Sequence, residues 1–137
     1  MFCEIIAKRA PACVVYEDGL VIAFLTNRPV NEGHTLVVPK QHYENIYDVP
    51  DDVLACLFKV VKRVSVAVRD AMAAEGIRVV QNNGSAAGQV IFHFHVHVIP
   101  MKPHEGFLHG VAYRDHSSGR LFEALEADAE KVRQNLP

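Results

Sequence analysis

The chain has 137 residues and a formal net charge of −2; 50% of its residues are hydrophobic and 22% are charged. This composition favours a single globular domain over residues 1–137 and excludes a largely disordered chain. Three cysteines cannot all pair, which excludes a disulfide scaffold, and the small negative charge does not favour a nucleic-acid duplex as partner.

No hydrophobic segment of the sequence suits a membrane. No apolar run approaches the roughly 18 residues that a helix needs to span a bilayer. The apolar patch at residues 5–7 is interrupted at once by Lys8 and Arg9, so it is also too short for a secretion signal. We therefore expect a cytoplasmic protein with no membrane partner.

The first forty residues predict three strands. Two β-rich runs, residues 13–17 and 20–26, flank Asp18-Gly19, a pair typical of tight hairpins because it tolerates positive φ angles. After a polar loop, residues 34–38 predict a third strand that ends at Pro39.

The hydrophobic period changes to three and four between residues 51 and 74, which predicts a long amphipathic helix. Acidic side chains at its start suit the helix dipole, and Gly76 suits its end. The remaining predicted elements are strands over 77–81 and 91–99, a loop over 102–119 and a C-terminal helix over 120–134. Together they predict an α+β domain with an antiparallel sheet of about five strands.

Three histidines alternate with hydrophobic residues in the last predicted strand. The alternation places His93, His95 and His97 on one face and directs Phe92 and Phe94 towards the core. Strand propensity does not explain three alternate histidines. A neutral imidazole whose second nitrogen is fixed by a hydrogen-bond acceptor can attack phosphorus near pH 7. The pattern therefore favours nucleophilic catalysis at a phosphate.

A metal site is the alternative interpretation of the same histidines. Two histidines at i and i+2 can share a metal, but all three cannot, so further ligands must come from elsewhere. Cys3, His42 and one strand histidine offer such a combination, although the second cysteine of a Cys-x-x-Cys pair is missing. The residues alone leave this alternative open.

Several ordered blocks of the chain resemble the histidine triad (HIT) family, in its bacterial and archaeal branch. The blocks are Phe2-Cys-Glu-Ile-Ile, Ala23-Phe-Leu, Gly33-His-Thr-Leu-Val-Val-Pro-Lys, Asn82-x-Gly, Gly88-Gln and His93-Phe-His-Val-His-Val-Ile. The resemblance implies an α+β fold, a homodimer and an enzyme that hydrolyses or transfers nucleotides. Such enzymes cleave at an α-phosphate through a nucleotidyl-histidine intermediate.

The resemblance also implies roles for particular residues. His95 would be the nucleophile, His97 would contact the phosphate or the leaving group, and His93 and His34 would position and polarise them. The implied substrate-binding residues are Phe2, Ile5 and Leu36 at the base, Asn27 at the ribose, and Asn82, Gly88 and Gln89 at the phosphate.

Two positions depart from the family pattern. Thr26 stands where many members have an acidic or amide residue for the ribose, so Asn27 would take that role. Val90 stands where some branches have a serine or threonine that donates a hydrogen bond to the leaving group; valine cannot donate.

The implied substrate is a purine nucleotide conjugate, either a nucleoside phosphoramidate or a dinucleoside polyphosphate. Lys102 is the only lysine or arginine over residues 82–102, which favours a lightly charged leaving group. We expect no required cofactor, with Mg²⁺ entering only when bound to a polyphosphate. A nucleotide-binding module without turnover is the alternative from a different class of function.

Overall fold

The computed structural model describes residues 1–103 and 121–137. Nearly all of the predicted loop over 102–119, including His104, His109 and His116, lies outside the described residues. The elements are α1 Phe2–Ile6, β1 Val14–Glu17, β2 Val21–Leu25, β3 Thr35–Pro39, α2 Asp51–Ala71, β4 Gly76–Val80, β5 Val96–Met101 and α3 Phe122–Gln134. A single 3₁₀ turn, Ser85–Ala87, lies between β4 and β5.

The five strands form one antiparallel sheet in the order β1-β2-β3-β5-β4. Together with the long helix α2 and the C-terminal helix α3, this sheet confirms the predicted α+β fold. The helix α1 was not predicted, because five residues are too few to show a helical period.

The helices α2 and α3 pack against one face of the sheet. Their shared core includes Leu57 and Val64 of α2, Val132 of α3, and Val37 and Val98 of the sheet, all of them buried. The strands β2 and β3 are buried along their whole length, and all their residues except Thr35 are apolar.

A second, smaller apolar cluster lies on the opposite face of β2 and β3. Its buried members are Phe2, Ile22, Phe24, Leu36 and Val38. The helix α1 packs on this face through Phe2, which is only 2% exposed. This face of the sheet also carries the histidines, because Leu36 is paired with His97 across β3 and β5.

The predicted hairpin between β1 and β2 is confirmed, but its turn differs from the expected one. Gly19 is not among the residues with positive φ. The Asp18 carboxylate instead accepts hydrogen bonds from the N–H groups of Leu20 at 2.7 Å and Val21 at 2.8 Å. The turn is therefore stabilised by an aspartate side chain, as in Asx turns.

The predicted start of α2 is confirmed, whereas its predicted end is wrong. The helix ends at Ala71, and Ala73 adopts a left-handed conformation with φ of 51°. The Ala74 N–H then donates to the Arg69 carbonyl at 2.9 Å, which closes the last turn. Gly76 plays no part in this termination and begins β4.

The predicted strand over 91–99 is only partly correct, because β5 begins at Val96. The N–H of Phe94 donates to the carbonyl of Tyr43, a residue outside the sheet, at 2.7 Å. Phe94 and Val96 are buried as predicted, but Phe92 is 42% exposed and does not join the core. Because the regular strand begins only at Val96, Phe92 lies outside the sheet. The alternation of a strand therefore does not determine which way its side chain points.

Candidate active site

Four histidines and Phe2 form a continuous row, in which the ring of Phe2 joins His93 to His95. Ring centroids are 5.8 Å apart for Phe2 and His93, and 5.2 Å apart for Phe2 and His95. The row continues from His95 to His97 at 4.9 Å and from His97 to His34 at 5.1 Å. The three alternate histidines therefore share one side of the chain, although only His97 belongs to a regular strand.

The hydrogen bond of His95 fixes which of its nitrogens carries the proton. Its Nδ1 lies 2.7 Å from the carbonyl oxygen of His93. A carbonyl only accepts, so Nδ1–H donates and Nε2 keeps its lone pair. Burial lowers the pKa of His95 below its ordinary value of 6.5, with this hydrogen bond opposing the shift. The ring is therefore neutral at pH 7 and carries a nucleophilic nitrogen.

A chain of hydrogen bonds sets the tautomers of His34 and His97. The N–H of Val30 donates to Nδ1 of His34 at 3.0 Å, which leaves the His34 proton on Nε2. This Nε2–H donates to Nδ1 of His97 at 2.9 Å, so His97 carries its own proton on Nε2. His97 therefore presents an N–H donor from the nitrogen that faces away from His34.

Burial keeps His34 and His97 uncharged. Desolvation, with the neighbouring His97 and His95, lowers the pKa of His34 to about 3. Desolvation, with His95 beside it, lowers the pKa of His97 to about 4. Both rings are neutral donors and acceptors at physiological pH rather than cations.

His93 faces a different group of side chains. Its Nε2–H donates to the Pro39 carbonyl at 2.9 Å, so its Nδ1 carries a lone pair. That Nδ1 lies 3.2 Å from Nδ1 of His42 and 3.7 Å from Sγ of Cys3. Burial lowers the pKa of His93, against the opposing effect of the Pro39 hydrogen bond.

Cys3, His42 and His93 have the donor spacing of a metal site. Their ligand atoms lie within 4.8 Å of one another, with 3.9 Å between Cys3 Sγ and His42 Nδ1. Tetrahedral zinc, with bonds near 2.1 Å to nitrogen and 2.3 Å to sulfur, separates its ligand atoms by roughly 3.3–3.6 Å. One thiolate and two imidazoles, the second nitrogen of His93 being held by a carbonyl, are a donor set suited to zinc.

The loop over 82–89 is shaped by Gln89, whose side chain is 4% exposed. Its Oε1 accepts the Gly84 N–H at 2.8 Å, and its Nε2 donates to the carbonyls of Glu44 at 2.7 Å and Ile91 at 3.1 Å. Both amide atoms are thus engaged within the protein. The structure places Gln89 as a residue that holds the loop, not as one that presents its amide to a ligand.

Gly88 and Asn82 lie side by side in this loop. Gly88 has φ of 94°, and a Cβ built there would stand 3.7 Å from Nδ2 of Asn82. The Gly88 N–H donates to the Ser85 carbonyl at 3.0 Å, so it is used within the turn. The side-chain amide of Asn82 forms no hydrogen bond within residues 1–103 and 121–137, which leaves it available to a ligand.

The predicted base-binding residues share the apolar cluster that borders the histidine row. Phe2 and Leu36 are buried in it, and Ile5 packs against it. At one end, the Thr26 N–H donates to the His34 carbonyl at 3.1 Å, which puts Thr26 and the exposed Asn27 next to His34. The structure therefore brings together apolar, polar and imidazole groups along one surface.

The backbone groups that fix the tautomers have no recognisable pattern in the sequence. The carbonyls of Pro39 and His93 and the N–H of Val30 act through positions that only the folded chain defines. His42, which the sequence offers only as one member of the alternative metal site, is exposed, and its ring packs edge-on against His93 with centroids 4.9 Å apart.

The HIT domain family model matches residues 7–104, which is most of the chain. The chain belongs to the HIT family. An adenosine 5′-monophosphoramidase of Candida albicans is 33% identical over 141 aligned residues, covering 96% of this chain and 92% of that protein. An adenylylsulfatase of Arabidopsis thaliana is 37% identical over 117 residues, covering 85% of this chain and 59% of that protein.

Solved HIT structures have the same fold. A Hit-like protein from Bartonella henselae superposes with a TM-score of 0.86 at 36% identity, covering 98% of this chain and 95% of its own. A zinc-bound histidine triad family protein from Mycobacterium smegmatis superposes with a TM-score of 0.83 at 32% identity, covering 98% of this chain and 90% of its own. Among the described residues of this HIT protein, no helix is long and apolar enough to cross a bilayer.

Proposed function

We propose that this HIT protein is a hydrolase or transferase that cleaves purine nucleotide conjugates at the α-phosphate through a nucleotidyl-His95 intermediate. The observation that carries the proposal is the tautomer of His95. Its Nδ1–H is committed to the His93 carbonyl, and burial keeps the ring neutral, so Nε2 is a nucleophile. The phosphoramidase and the adenylylsulfatase among its relatives both act, by name, on adenine nucleotide conjugates.

The surface beside the histidines suits the parts of a nucleotide. A purine base would lie against Phe2, Ile5 and Leu36, which belong to the apolar cluster. The ribose would lie near Asn27, at the polar end of that cluster. The α-phosphate would lie between His95 and the loop over 82–89, within reach of the amide of Asn82.

The reaction follows from the protonation states. The lone pair of His95 Nε2 attacks the α-phosphorus in line, a P–N bond forms, and the leaving group departs with the electron pair of the broken bond. The Nε2–H of neutral His97 donates a hydrogen bond to the phosphate oxygens or the leaving atom and stabilises the developing charge. The leaving group takes up a proton from solvent. Water then attacks phosphorus and releases a proton to solvent, the P–N bond breaks, and His95 recovers its lone pair.

The leaving group is expected to carry little negative charge. Residues 82–102 contain one cation, Lys102, which gives little compensation for a polyphosphate. We expect an adenosine phosphoramidate to be cleaved faster than a dinucleoside polyphosphate in the absence of metal, and added Mg²⁺ to narrow the difference. Faster metal-free cleavage of the polyphosphate would contradict this choice of substrate.

Trapping the intermediate tests the proposed activity. Rapid quenching followed by peptide mass spectrometry should find an adenylyl group on His95 in the wild-type protein. His95→Asn should form no adduct and lose turnover, yet bind AMP with nearly unchanged affinity. Undiminished turnover by His95→Asn would refute the mechanism, whereas AMP binding by a wild-type protein without turnover would favour the binding module.

We also propose that Cys3, His42 and His93 hold a zinc ion. The donor spacing, and the lone pair that His93 directs at the other two ligands, support this second proposal. Bound zinc would supply a crosslink between α1, the segment after β3 and the histidine segment. Elemental analysis should find stoichiometric zinc in the wild type and little in Cys3→Ala; a metal-free wild type grown with ample zinc would rule out the site.

We further propose that the protein is a homodimer through the edge of the sheet. β4 is an edge strand, and its Val79 is 45% exposed. An open edge with an exposed apolar side chain favours pairing with a second strand. Light scattering during size exclusion should give twice the chain mass, and Val79→Lys should shift the population towards monomer. A monomeric wild type at micromolar concentration would contradict the dimer.

A further inference from the structure

We propose that metal binding at Cys3, His42 and His93 and nucleotide binding beside His95 are coupled, each strengthening the other, because both require α1 to be docked on the sheet. This inference rests on the proposed nucleotide site. It concerns a link between two sites, so it can fail while each site binds its own ligand.

The first connection runs through α1, in which neighbouring side chains point into the two sites. Phe2 is buried against His95, with ring centroids 5.2 Å apart, and belongs to the cluster proposed to hold the base. Cys3, the next residue, places its Sγ 3.7 Å from Nδ1 of His93. A ligand that holds the thiol of Cys3 therefore also holds the ring of Phe2.

The docking of α1 depends on few other interactions. A helix of five residues has little stability of its own in water. The ion pair of Glu4 and Arg9 is more than half exposed on both side chains, so it contributes little. Burial of Phe2, partial burial of Ile5 and Ile6, and the ion pair of Lys8 with Glu17 just beyond the helix remain. The docked position is therefore open to further stabilisation by a bound ion.

The second connection runs through His93 itself. Its ring contributes Nδ1 to the metal-binding group, while its main-chain carbonyl accepts the Nδ1–H of His95 at 2.7 Å. The segment holding His93 lies outside the regular strand β5, so the sheet alone does not fix it. Fixing the ring of His93 therefore restrains the carbonyl that orients the proposed nucleophile.

These connections imply positive coupling of equal size in both directions. If the metal and the nucleotide both prefer the docked state of α1, each raises the population that the other binds. Thermodynamic linkage then requires that zinc changes AMP affinity by the same factor by which AMP changes zinc affinity. We expect a factor of about five or more, the lower end of typical coupling.

The test is a pair of titrations on the full chain. AMP affinity is measured by calorimetry for zinc-loaded and chelator-treated protein, and zinc affinity by competition with a chromogenic chelator, with and without saturating AMP. Matching changes of about fivefold or more are expected. Zinc binding with identical AMP affinity in both states, or failure of zinc to bind, overturns the coupling. Failure of AMP to bind in either state instead contradicts the proposed nucleotide site.

Two variants separate the coupling from general stabilisation. Cys3→Ser should bind AMP with the affinity of zinc-free wild type whether or not zinc is added. Cys56→Ser makes the same change at a second exposed cysteine, which lies on α2, and should retain the full effect of zinc on AMP affinity. Phe2→Ala keeps all three ligands and the His93 connection, so it should still bind zinc but show a coupling factor clearly smaller than that of the wild type. AMP binding by Cys3→Ser as tight as that of zinc-loaded wild type overturns the proposal, even if Phe2→Ala does not fold.

Discussion

At the scale of single residues, Val90 offers a direct test of whether a hydrogen bond to the leaving group is missing. Val90 is 83% exposed and cannot donate a hydrogen bond. Val90→Ser should raise kcat/KM for an adenosine phosphoramidate by up to about tenfold, because a hydrogen bond to an uncharged leaving group contributes about 0.5–1.5 kcal/mol. Steady-state kinetics checks this, with Val90→Ala as the control that should change little. An unchanged rate in Val90→Ser would show that no leaving-group donor is missing here.

His34 gives a second residue-scale prediction, because it acts through His97. Its Nε2–H fixes the tautomer of His97 from 2.9 Å away. His34→Ala removes that donor and should lower kcat by about tenfold or more with little change in KM, since the loss falls on charge stabilisation in the transition state. His34→Gln, which can still donate from a side-chain N–H, should recover part of the loss.

Equal losses in His34→Ala and His34→Gln would point to packing instead of the hydrogen bond. A pH profile separates these cases further. If the tautomer of His97 matters, the dependence of kcat on pH should change in His34→Ala and return towards wild type in His34→Gln.

At the scale of elements, the end of α2 carries a measurable strain. Ala73 adopts φ of 51°, a left-handed conformation that costs a residue with a Cβ roughly 1–2 kcal/mol and glycine much less. Ala73→Gly should therefore raise the free energy of unfolding by up to about 1 kcal/mol, after the larger unfolded-state entropy of glycine is subtracted. Urea unfolding checks this value.

The same substitution within α2 provides the matched control. Ala55 is exposed in the helix interior, where replacing alanine by glycine costs about 0.5–1 kcal/mol. The two variants should thus change stability in opposite directions. A loss of stability in both would mean that the left-handed residue is not strained.

The elements also show what the sequence could and could not predict. Periodicity located the sheet and α2 because burial repeats along the chain, and the alternation of His93, His95 and His97 correctly predicted their shared face. Periodicity failed where tertiary contacts override the local pattern. Phe92 is an example, because it lies before the start of the strand and its side chain is not in the core. The tautomer of His95 depends on a carbonyl whose position only the fold determines.

At the scale of the whole molecule, the buried histidines should make stability depend on pH. The pKa of His34 is lowered from 6.5 to about 3 and that of His97 from 6.5 to about 4. Both rings stay neutral in the folded protein at pH values where the unfolded chain already takes up protons. Their contribution to the free energy of unfolding is therefore fully present above about pH 6.5. It is lost progressively as the pH falls towards the folded-state pKa values of about 4 for His97 and about 3 for His34.

The expected slope is about 1.4 kcal/mol per pH unit for each of the two rings, once the pH lies well below 6.5. Urea unfolding of chelator-treated protein between pH 7 and about pH 5 isolates this effect, because carboxylates with ordinary pKa values near 4 titrate mainly below that window. His34→Asn removes one of these rings and should reduce the slope by up to about 1.4 kcal/mol per pH unit, while His97 and the other two histidines with lowered pKa values, His93 and His95, keep their part of it. A slope that is flat in the wild type, or unchanged in His34→Asn, would mean that these rings are protonated in the folded protein. Neutral His34 and His97 are also what the proposed catalysis requires, so the stability curve tests the same protonation states that give His97 its N–H donor.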